Sequence, residues 1–324
     1  MSAADESLGL PKPEINTSKY PLVSVITVNY NQSAVTLEFL ESLKHSTYPN
    51  LEIFVVDNGS PNDHPEILKE NYPEIELLMT GKNLGFAGGN NVAVRKAKGK
   101  YLLFINNDTE VDPGFLEPMV YLLESNNKVG MVSPKIHFFH TPETFQFAGF
   151  TKISPITIRN KAIGFGELDT GQYNHICETG SIFGAAMLVP KKIVAEVGMM
   201  TEVFFLYYEE HDWAERIKRA GYKIYYCGES LVKHKESIST VKESPFQIYY
   251  LNRGRLLFAR RNTFGINHLL SQFYLMVVAM PKTFVKYILK GRFDLAKAIL
   301  KAMVWNVTHS KKSILIEPIL ETTT

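Results

Sequence analysis

The sequence predicts an α/β fold, a mostly parallel sheet doubly wound by helices, and three observations predict it. Between residues 22 and 135 short apolar runs alternate with segments of helical period. The runs are β-branched and apolar on both faces, as strands covered on two sides must be. Their order, strand then helix then strand, is that of a parallel sheet built from helical crossovers. In chain order the expected strands are Leu22–Val28, Leu51–Val56, Ile75–Met79 and Tyr101–Ile105. Between them Val35–Lys44 and Val92–Lys98 have helical spacing, and Pro113-Gly114 opens a further helix through Leu123. Residues 136–180, rich in Phe, Gly and His, lack a clean period and are expected to be irregular or partly antiparallel. The strand-like SIFGAAMLVP (181–190), a short helix near Lys191–Val197 and the aromatic run FFLYY follow. A helix from about Glu210 to Ala220 and a hairpin-like KIYYCGESLVKH come next.

With 324 residues and 45% hydrophobic content the chain has ample material for a core, which excludes a disordered or fibrous protein. Cys177 and Cys227 are too few for a disulfide framework and have no metal-ligand spacing, so a reducing compartment is expected. The first 20 residues are polar and contain Pro without an apolar signal core, and are expected to form a mobile leader. The net charge of +2 conceals an asymmetry: residues 253–312 hold twelve Lys and Arg against one acid, Asp294. The longest apolar run there, Phe273–Met280, falls short of the roughly 20 residues that span a bilayer, and Pro281 is expected to close it.

In open α/β sheets ligands sit beyond the carboxyl ends of the strands. Here the strands run into Asn29-Tyr30-Asn31, Asp57-Asn58-Gly59-Ser60, Lys82-Asn83-Leu84-Gly85 and Asn106-Asn107-Asp108. Taken alone, Asp-Asn-Gly-Ser suits a turn as well as a site; its recurrence in kind at every strand end points to one polar crevice. Asp57 is the type of carboxylate that accepts hydrogen bonds from a base or ribose. Gly85, Gly88 and Gly89 are expected to let backbone approach a ligand before a helix begins. Neither GxGxxG nor GxxxxGK[ST] is present, which weakens dinucleotide and P-loop readings. Asp108, flanked by amides, suits a hard divalent cation that takes its other ligands from phosphate and water, or else a cap on the turn before Pro113. In YYEEHDWAERIKRAGY, Asp212 has Arg216 and Glu215 has Arg219 four residues on, the spacing of helix ion pairs. Glu209 and Glu210 have no such partner, which leaves them as charges at a helix N-terminus or as a general base beside aromatic surface. His234, near the end of a strand, stands open between a structural and a ligand role.

Seven stretches in this order, VSVITVNYN, VVDNGS, NLGFAGGNN, FINNDTEV, GAAMLVP, FFLYYEEHDWAERIKRAGY and LVKHKES, resemble the family 2 inverting glycosyltransferases of the GT-A fold. The likeness covers roughly residues 22–240 and is greatest to bacterial rhamnosyltransferase-type enzymes of polysaccharide synthesis. It implies a GT-A domain over residues 21–245, with 21–135 binding the nucleotide-sugar and 136–245 the acceptor, followed by a C-terminal helical appendage. It further implies that Thr27, Asn29 and Asp57 contact the donor nucleoside, with Asn83 and Gly85 nearby. Asn106-Asn107-Asp108 takes the place of the family's DxD, with Asp108 on Mg²⁺ or Mn²⁺ and the diphosphate, and His234 falls where an additional metal ligand is found. Glu210 takes the general-base position, with Glu209 and Asp212 supporting it or touching the acceptor. Two departures matter: Asn106 replaces the first Asp of DxD, and Glu210 stands where Asp is commoner.

The implied reaction moves a sugar, L-rhamnose by the likeness, from a UDP- or dTDP-linked donor to a glycan or a polyprenyl-diphosphate-linked acceptor. Residues 246–324 are expected to form a basic amphipathic helical tail, since Lys282, Lys286 and Lys290 recur every four residues, as do Lys297 and Lys301. Such helices lie on anionic membrane surfaces or pack on a domain with a solvated Lys face. The membrane reading places the protein in the cytoplasm, peripheral on the inner face of the cell membrane. Nucleic acid is not an expected partner, because the tail contains no recognisable module. Among rivals, a sugar-nucleotide pyrophosphorylase would need Arg and Lys in a Gly-rich loop after the first strand, where this chain has NYNQSAVTL. A non-catalytic sugar- or lipid-binding module is the other.

Overall fold

Val23, Val25 and Ile26 are wholly buried because the strand that carries them has a strand on each side and helices on both faces. A computed structural model describes residues 20–235 and 243–312; residues 1–19 of the expected leader lie outside the described residues. The first half runs β1 (Val23–Asn29), α1 (Ser33–Lys44), β2 (Leu51–Asp57), α2 (Glu66–Asn71), β3 (Glu76–Met79), α3 (Gly85–Val94) and β4 (Tyr101–Ile105). The strands β3-β2-β1-β4 lie parallel in that order. Alternate residues feed opposite cores: Val25, Leu103 and Phe39 of α1 pack on one face, and Ile26, Phe104 and Ala87 of α3 on the other.

One element departs from the expected pattern. The helix placed at Val92–Lys98 begins instead at Gly85 and takes in the whole glycine cluster. Glycine disfavours a helix interior, but a Cβ at Gly89 would lie 3.2 Å from both methyls of Val28, so its absence lets α3 settle against β1. Within the cluster Gly89 serves helix–strand packing, while Gly85 stays at the cleft end of the helix.

The second half continues with β5 (Thr109–Val111), α4 (Leu116–Ser125), β6 (Val129–Phe138), β7 (Phe145–Phe147), β8 (Ile176–Glu178), β9 (Ala186–Pro190) and α5 (Lys191–Val197). A 3-10 turn (Glu202–Phe204), α6 (Glu209–Arg219) and β10 (Lys223–His234) complete it. The segment without clean period is partly antiparallel, with β7 against β6 and β8 against β10. KIYYCGESLVKH is not a hairpin but one long strand parallel to β6, and its register shifts between Cys227 and Leu231. That bulge lets the first part of β10 pair with β8 and the last part with β5.

The C-terminal helices are α7 (Pro245–Asn262), α8 (Gly265–Phe273), α9 (Met280–Leu289) and α10 (Phe293–Thr308), with a π-helical segment, Tyr274–Ala279, joining α8 to α9. Pro281 does not close the apolar run; it sits in the first turn of α9. Proline has no N–H and crowds the carbonyl four residues back, and a wide π turn is one way a helix absorbs such a lesion. No described helix is long and apolar enough to cross a membrane. The C-terminal helices share a core with the segment before α6: Leu256, Leu257 and Trp305 cluster with Val203, Phe204 and Phe205.

Asp212 is the polar centre of that junction. Its carboxylate, with no exposed surface, accepts from Arg216 (3.2 Å) on its own helix, Thr201 (2.8 Å), and Arg261 (2.8 Å) and Asn262 (2.9 Å) of α7. The expected Asp212–Arg216 pair therefore forms. Glu215 instead pairs with Lys218 at 2.5 Å, and Arg219 turns to Asn262. Burial pushes the Asp212 carboxyl up, but the hydrogen bond and charge of Arg261 and the charge of Arg216 outweigh it and hold it below its ordinary value. Asp212 thus stabilises the fold above its unfolded-state pKa, and that contribution is lost as pH falls through the depressed folded value. Asp212→Ala strands two arginines and should cost about 3 kcal/mol in denaturant unfolding. Asp212→Asn should flatten the acid limb of the stability profile; an unchanged limb would contradict this account.

Candidate active site

The carboxyl ends of β1, β3 and β4 open into a cleft of about 530 Å³, a volume suited to a small organic ligand. One wall carries Tyr30, Asn58, Asn83 and Gly85, the floor Asn106, Asn107 and Asp108, and the far wall Glu209, Glu210, His211 and His234. Phe150, Phe183, Tyr207, Tyr208 and Leu251 give the far side an apolar lining.

His234 reaches Asp108 because β10 pairs with β5 in a register that sets His234 opposite Thr109. Its Nδ1 lies 2.9 Å from Gln146 Oε1 and its Nε2 lies 3.1 Å from Asp108 Oδ1. With Nδ1–H donating to Gln146, a neutral imidazole turns the Nε2 lone pair toward a buried carboxylate oxygen that has no hydrogen-bond donor of its own. Two lone pairs at that separation call for a positive species, either a proton on Nε2 or a metal ion. Burial raises the Asp108 carboxyl; in the first case, with the proton on Nε2, the hydrogen bond and charge of His234 outweigh burial and keep it below its usual range. Among the described residues no three His, Cys, Asp or Glu side chains form a metal cage. Two protein ligands fit a hard cation that completes its shell with phosphate oxygens and water. Asn106, 3.5 Å from His234 Nε2 through its amide, stands beside the pair.

Glu209 and Glu210 enter the cleft from an unusual turn. Phe205 (φ 63°, ψ −56°) is the centre of a γ-turn closed by Leu206 N–H donating to Phe204 O at 2.7 Å. Tyr207 and Tyr208 follow with φ of 69° and 76°, so three bulky residues occupy the left-handed half of backbone space. The strain is held from two sides. Phe86 N–H of α3 donates to Phe205 O at 2.7 Å. From α7, the fully buried Arg253 donates to Phe204 O at 2.8 Å, and Tyr250 stacks on Phe205 at 4.8 Å. Gly254 is required there, since a Cβ would lie 2.8 Å from Tyr207 O. Burial and then the neighbouring charge of Glu210 push the Glu209 carboxyl well above its usual range, and its Oε2 has no hydrogen-bond partner. Glu210 is the more open of the two, its carboxylate lying over Gly184.

With that geometry, residues 24–184 match the model of the family described as glycosyl transferase family 2. The chain belongs to glycosyl transferase family 2. Over 248 residues this glycosyltransferase is 24% identical to the low-salt glycan biosynthesis hexosyltransferase Agl10 of Haloferax volcanii, covering 72% of this chain and 74% of that one. Over 245 residues it is 22% identical to the N-acetylglucosaminyl-diphospho-decaprenol L-rhamnosyltransferase of Mycobacterium tuberculosis, covering 68% and 78%. Among solved structures it resembles the mannosyltransferase PcManGT of Pyrobaculum calidifontis in complex with GDP-Man and Mn²⁺ (TM-score 0.58, 16% identity, 90% of this chain and 88% of that). It also resembles GalNAc-T7 with UDP, GalNAc and Mn²⁺ (TM-score 0.65, 14% identity, 90% and 56%). At such identities the likeness concerns the fold, which is GT-A.

In this glycosyltransferase the cleft brings together Asn83, Gly85, Asn106, Asn107, Asp108, Glu209, Glu210 and His234. It does not bring Thr27, Asn29, Asp57 or Asp212 to the surface. Thr27 is wholly buried within β1. Asp57 accepts from Ser60 Oγ (2.5 Å), Ser60 N–H (3.1 Å), Gly59 N–H (3.2 Å) and the Asn29 amide (3.0 Å), so its carboxylate folds the loop over itself. Asn29 is likewise spent on Asp63 and Thr36. Thr27, Asn29 and Asp57 thus form a layer behind the cleft, whose lining at this end is Tyr30 and the buried Asn58. Asp212 does not reach an acceptor either, because both its oxygens are taken by the α6–α7 junction. Phe150, Phe183, His211 and Leu251 went unforeseen; the FFLYY run was the one local signal of the aromatic lining.

Gly85 (φ 72°) faces the strained turn directly: a Cβ there would sit 2.2 Å from Phe205 O. Gly85→Ala should destabilise the protein by at least the roughly 1–3 kcal/mol of left-handed strain, measurable as a lowered Tm. An unaltered Tm would mean that the α3–Phe205 contact is not structural.

Proposed function

We propose that this glycosyltransferase is a metal-dependent inverting enzyme that moves a sugar, L-rhamnose foremost, from a UDP- or dTDP-linked donor to a hydroxyl of a lipid-linked saccharide. The observation that carries the reading is one cleft with a cation-ready pair, Asp108 and His234, facing a paired carboxylate, Glu209 and Glu210. A bound Mg²⁺ or Mn²⁺ would neutralise charge on the departing diphosphate, as a Lewis acid does without proton transfer. Asp108 and His234 would hold it, and Asn83 and Asn107 would line the donor's path. Glu210 takes the proton of the acceptor hydroxyl as that oxygen bonds to sugar C1. The C1–O bond to phosphate breaks in the same displacement, and its electron pair leaves on the nucleoside diphosphate. Two glycosidase-type carboxylic acids are not needed, because the leaving group departs unprotonated. Burial favours the uncharged form of Glu209, which limits the negative charge beside the base.

The mycobacterial relative's name specifies an L-rhamnosyltransferase and a diphospho-decaprenol saccharide, which supports a rhamnosyl donor and a polyprenyl-diphosphate acceptor. The helical tail supports the same acceptor class. Between Phe264 and Val307 large apolar side chains stand exposed, among them Ile266 (65%), Leu269 (65%), Phe273 (61%) and Leu289 (82%). Exposed Lys282, Lys286, Lys290, Lys297 and Lys301 accompany them, and the one acid of these helices, Asp294, is tied to Arg292 at 2.9 Å. An apolar face rimmed by Lys suits an anionic lipid surface, with each Lys contributing about 1 kcal/mol. The enzyme would then work peripherally, on the cytoplasmic face of the membrane that carries its acceptor.

Calorimetry with UDP- and dTDP-sugars and Mn²⁺ should show donor binding lost in Asp108→Ala and kept in Glu210→Gln. Release of UDP or dTDP by Glu210→Gln should fall by roughly 10²–10⁴-fold. Undiminished affinity in the first variant or wild-type turnover in the second would remove the assigned role, and a wild-type protein inert toward every donor would favour a binding module. Replacing Ile266, Leu269 and Phe273 together by Ser should abolish flotation with phosphatidylglycerol vesicles; flotation that persists, or that is equal on neutral vesicles, would argue against a lipid-facing tail.

A further inference from the structure

The structure assigns a role to His211, a residue that neither the family likeness nor the reaction scheme accounts for: it positions the carboxylate of Glu210 by donating a hydrogen bond from Nε2. The inference rests on the reading of Glu210 as base and goes beyond it. His211 lies between the two parts of the cleft wall, its ring held edge-on by Phe150 (5.7 Å between centroids) and Tyr208 (5.6 Å). Its Nδ1 lies 2.8 Å from the hydroxyl of Ser181, which is wholly buried. Its Nε2 faces Glu210 Oε1 at 3.8 Å.

The tautomer follows from counting donors and acceptors. Nδ1 of His211 is the sole side-chain partner of the Ser181 hydroxyl among the described residues. A buried hydroxyl hydrogen without an acceptor is costly, so Ser181 donates and Nδ1 accepts. A neutral imidazole that accepts at Nδ1 carries its hydrogen on Nε2, the nitrogen turned to Glu210. The ring therefore presents an Nε2–H to Glu210 in a fixed orientation, and a small rotation of the Glu210 side chain closes the gap. Such a bond would hold one carboxylate oxygen and leave the other aimed at the acceptor. His211 does not take the substrate proton in this scheme; it is a positioning residue.

Nitrogen-15 NMR of the full chain labelled at histidine tests the geometry without any substrate. His211 should appear as the Nε2–H tautomer, its Nε2 resonance should move in Glu210→Gln, and Ser181→Ala should raise the share of the Nδ1–H form. An Nδ1–H tautomer in the wild type, or an Nε2 resonance indifferent to Glu210→Gln, overturns the proposal even if Glu210 proves to be the base. Kinetically, His211→Leu should lower kcat for nucleoside diphosphate release by about 10-fold or more with donor KM little changed, and His211→Gln, which keeps a donor, should recover most of it. In the Glu210→Gln background His211→Leu should cost nothing further, because coupled residues lose a shared effect once. An equal cost in both backgrounds would make His211 merely structural, whereas wild-type turnover by Glu210→Gln alone would sink the base reading and leave the NMR result to judge the contact.

Discussion

The Glu209–Glu210 side of the cleft depends on the carbonyl of Phe205. It lies at the centre of a strained turn, receives the N–H of Phe86, and forces Gly85 to be a glycine. Left-handed geometry at Phe205, Tyr207 and Tyr208 is disfavoured for each, and it survives because α3 and α7 hold the turn from opposite sides. The consequence is directional. A relaxed turn would start α6 elsewhere, and Glu209 and Glu210 would no longer point into the cleft from its first turn.

The Asp108–His234 side depends on a different long-range choice, the register of β10. Its bulge between Cys227 and Leu231 shifts the strand against β6 so that its last residues meet β5. His234 then falls beside Asp108, with Gln146 behind it to fix the ring. A ligand pair assembled in this way needs little from its own sequence neighbours. It needs the bulge.

The C-terminal helices join these two halves to a surface. Arg253 and Gly254 of α7 brace the strained turn, and Arg261 locks Asp212 in α6, so the C-terminal helices are built into the walls of the cleft. Their outer side carries exposed apolar residues and lysines. One helical bundle thus braces the turn before α6 from within and leaves apolar and basic side chains on its outer side.

Local pattern was enough to reveal the strands of the parallel half, because a strand buried on both faces must be apolar throughout, as Tyr101–Ile105 is. It was also enough to single out Asp108 and Glu210, since charge at a strand end or a helix mouth demands explanation, whereas His234 stayed open until its pairing with β5 set it beside Asp108. Local pattern set the helix start beyond the glycine cluster, because what a glycine packs on depends on what lies across from it, for Gly89 the methyls of Val28. It could not show how fully Asp57 and Asp212 are hydrogen-bonded for a related reason: a carboxylate looks the same in sequence whether it is free or already surrounded by Ser60 and Asn29, or by Arg216 and Arg261. Residue chemistry along the chain determined which groups this protein could use. Tertiary structure alone decided which of them remain unpaired and face one another, because hydrogen-bond partners far apart in sequence are chosen by packing.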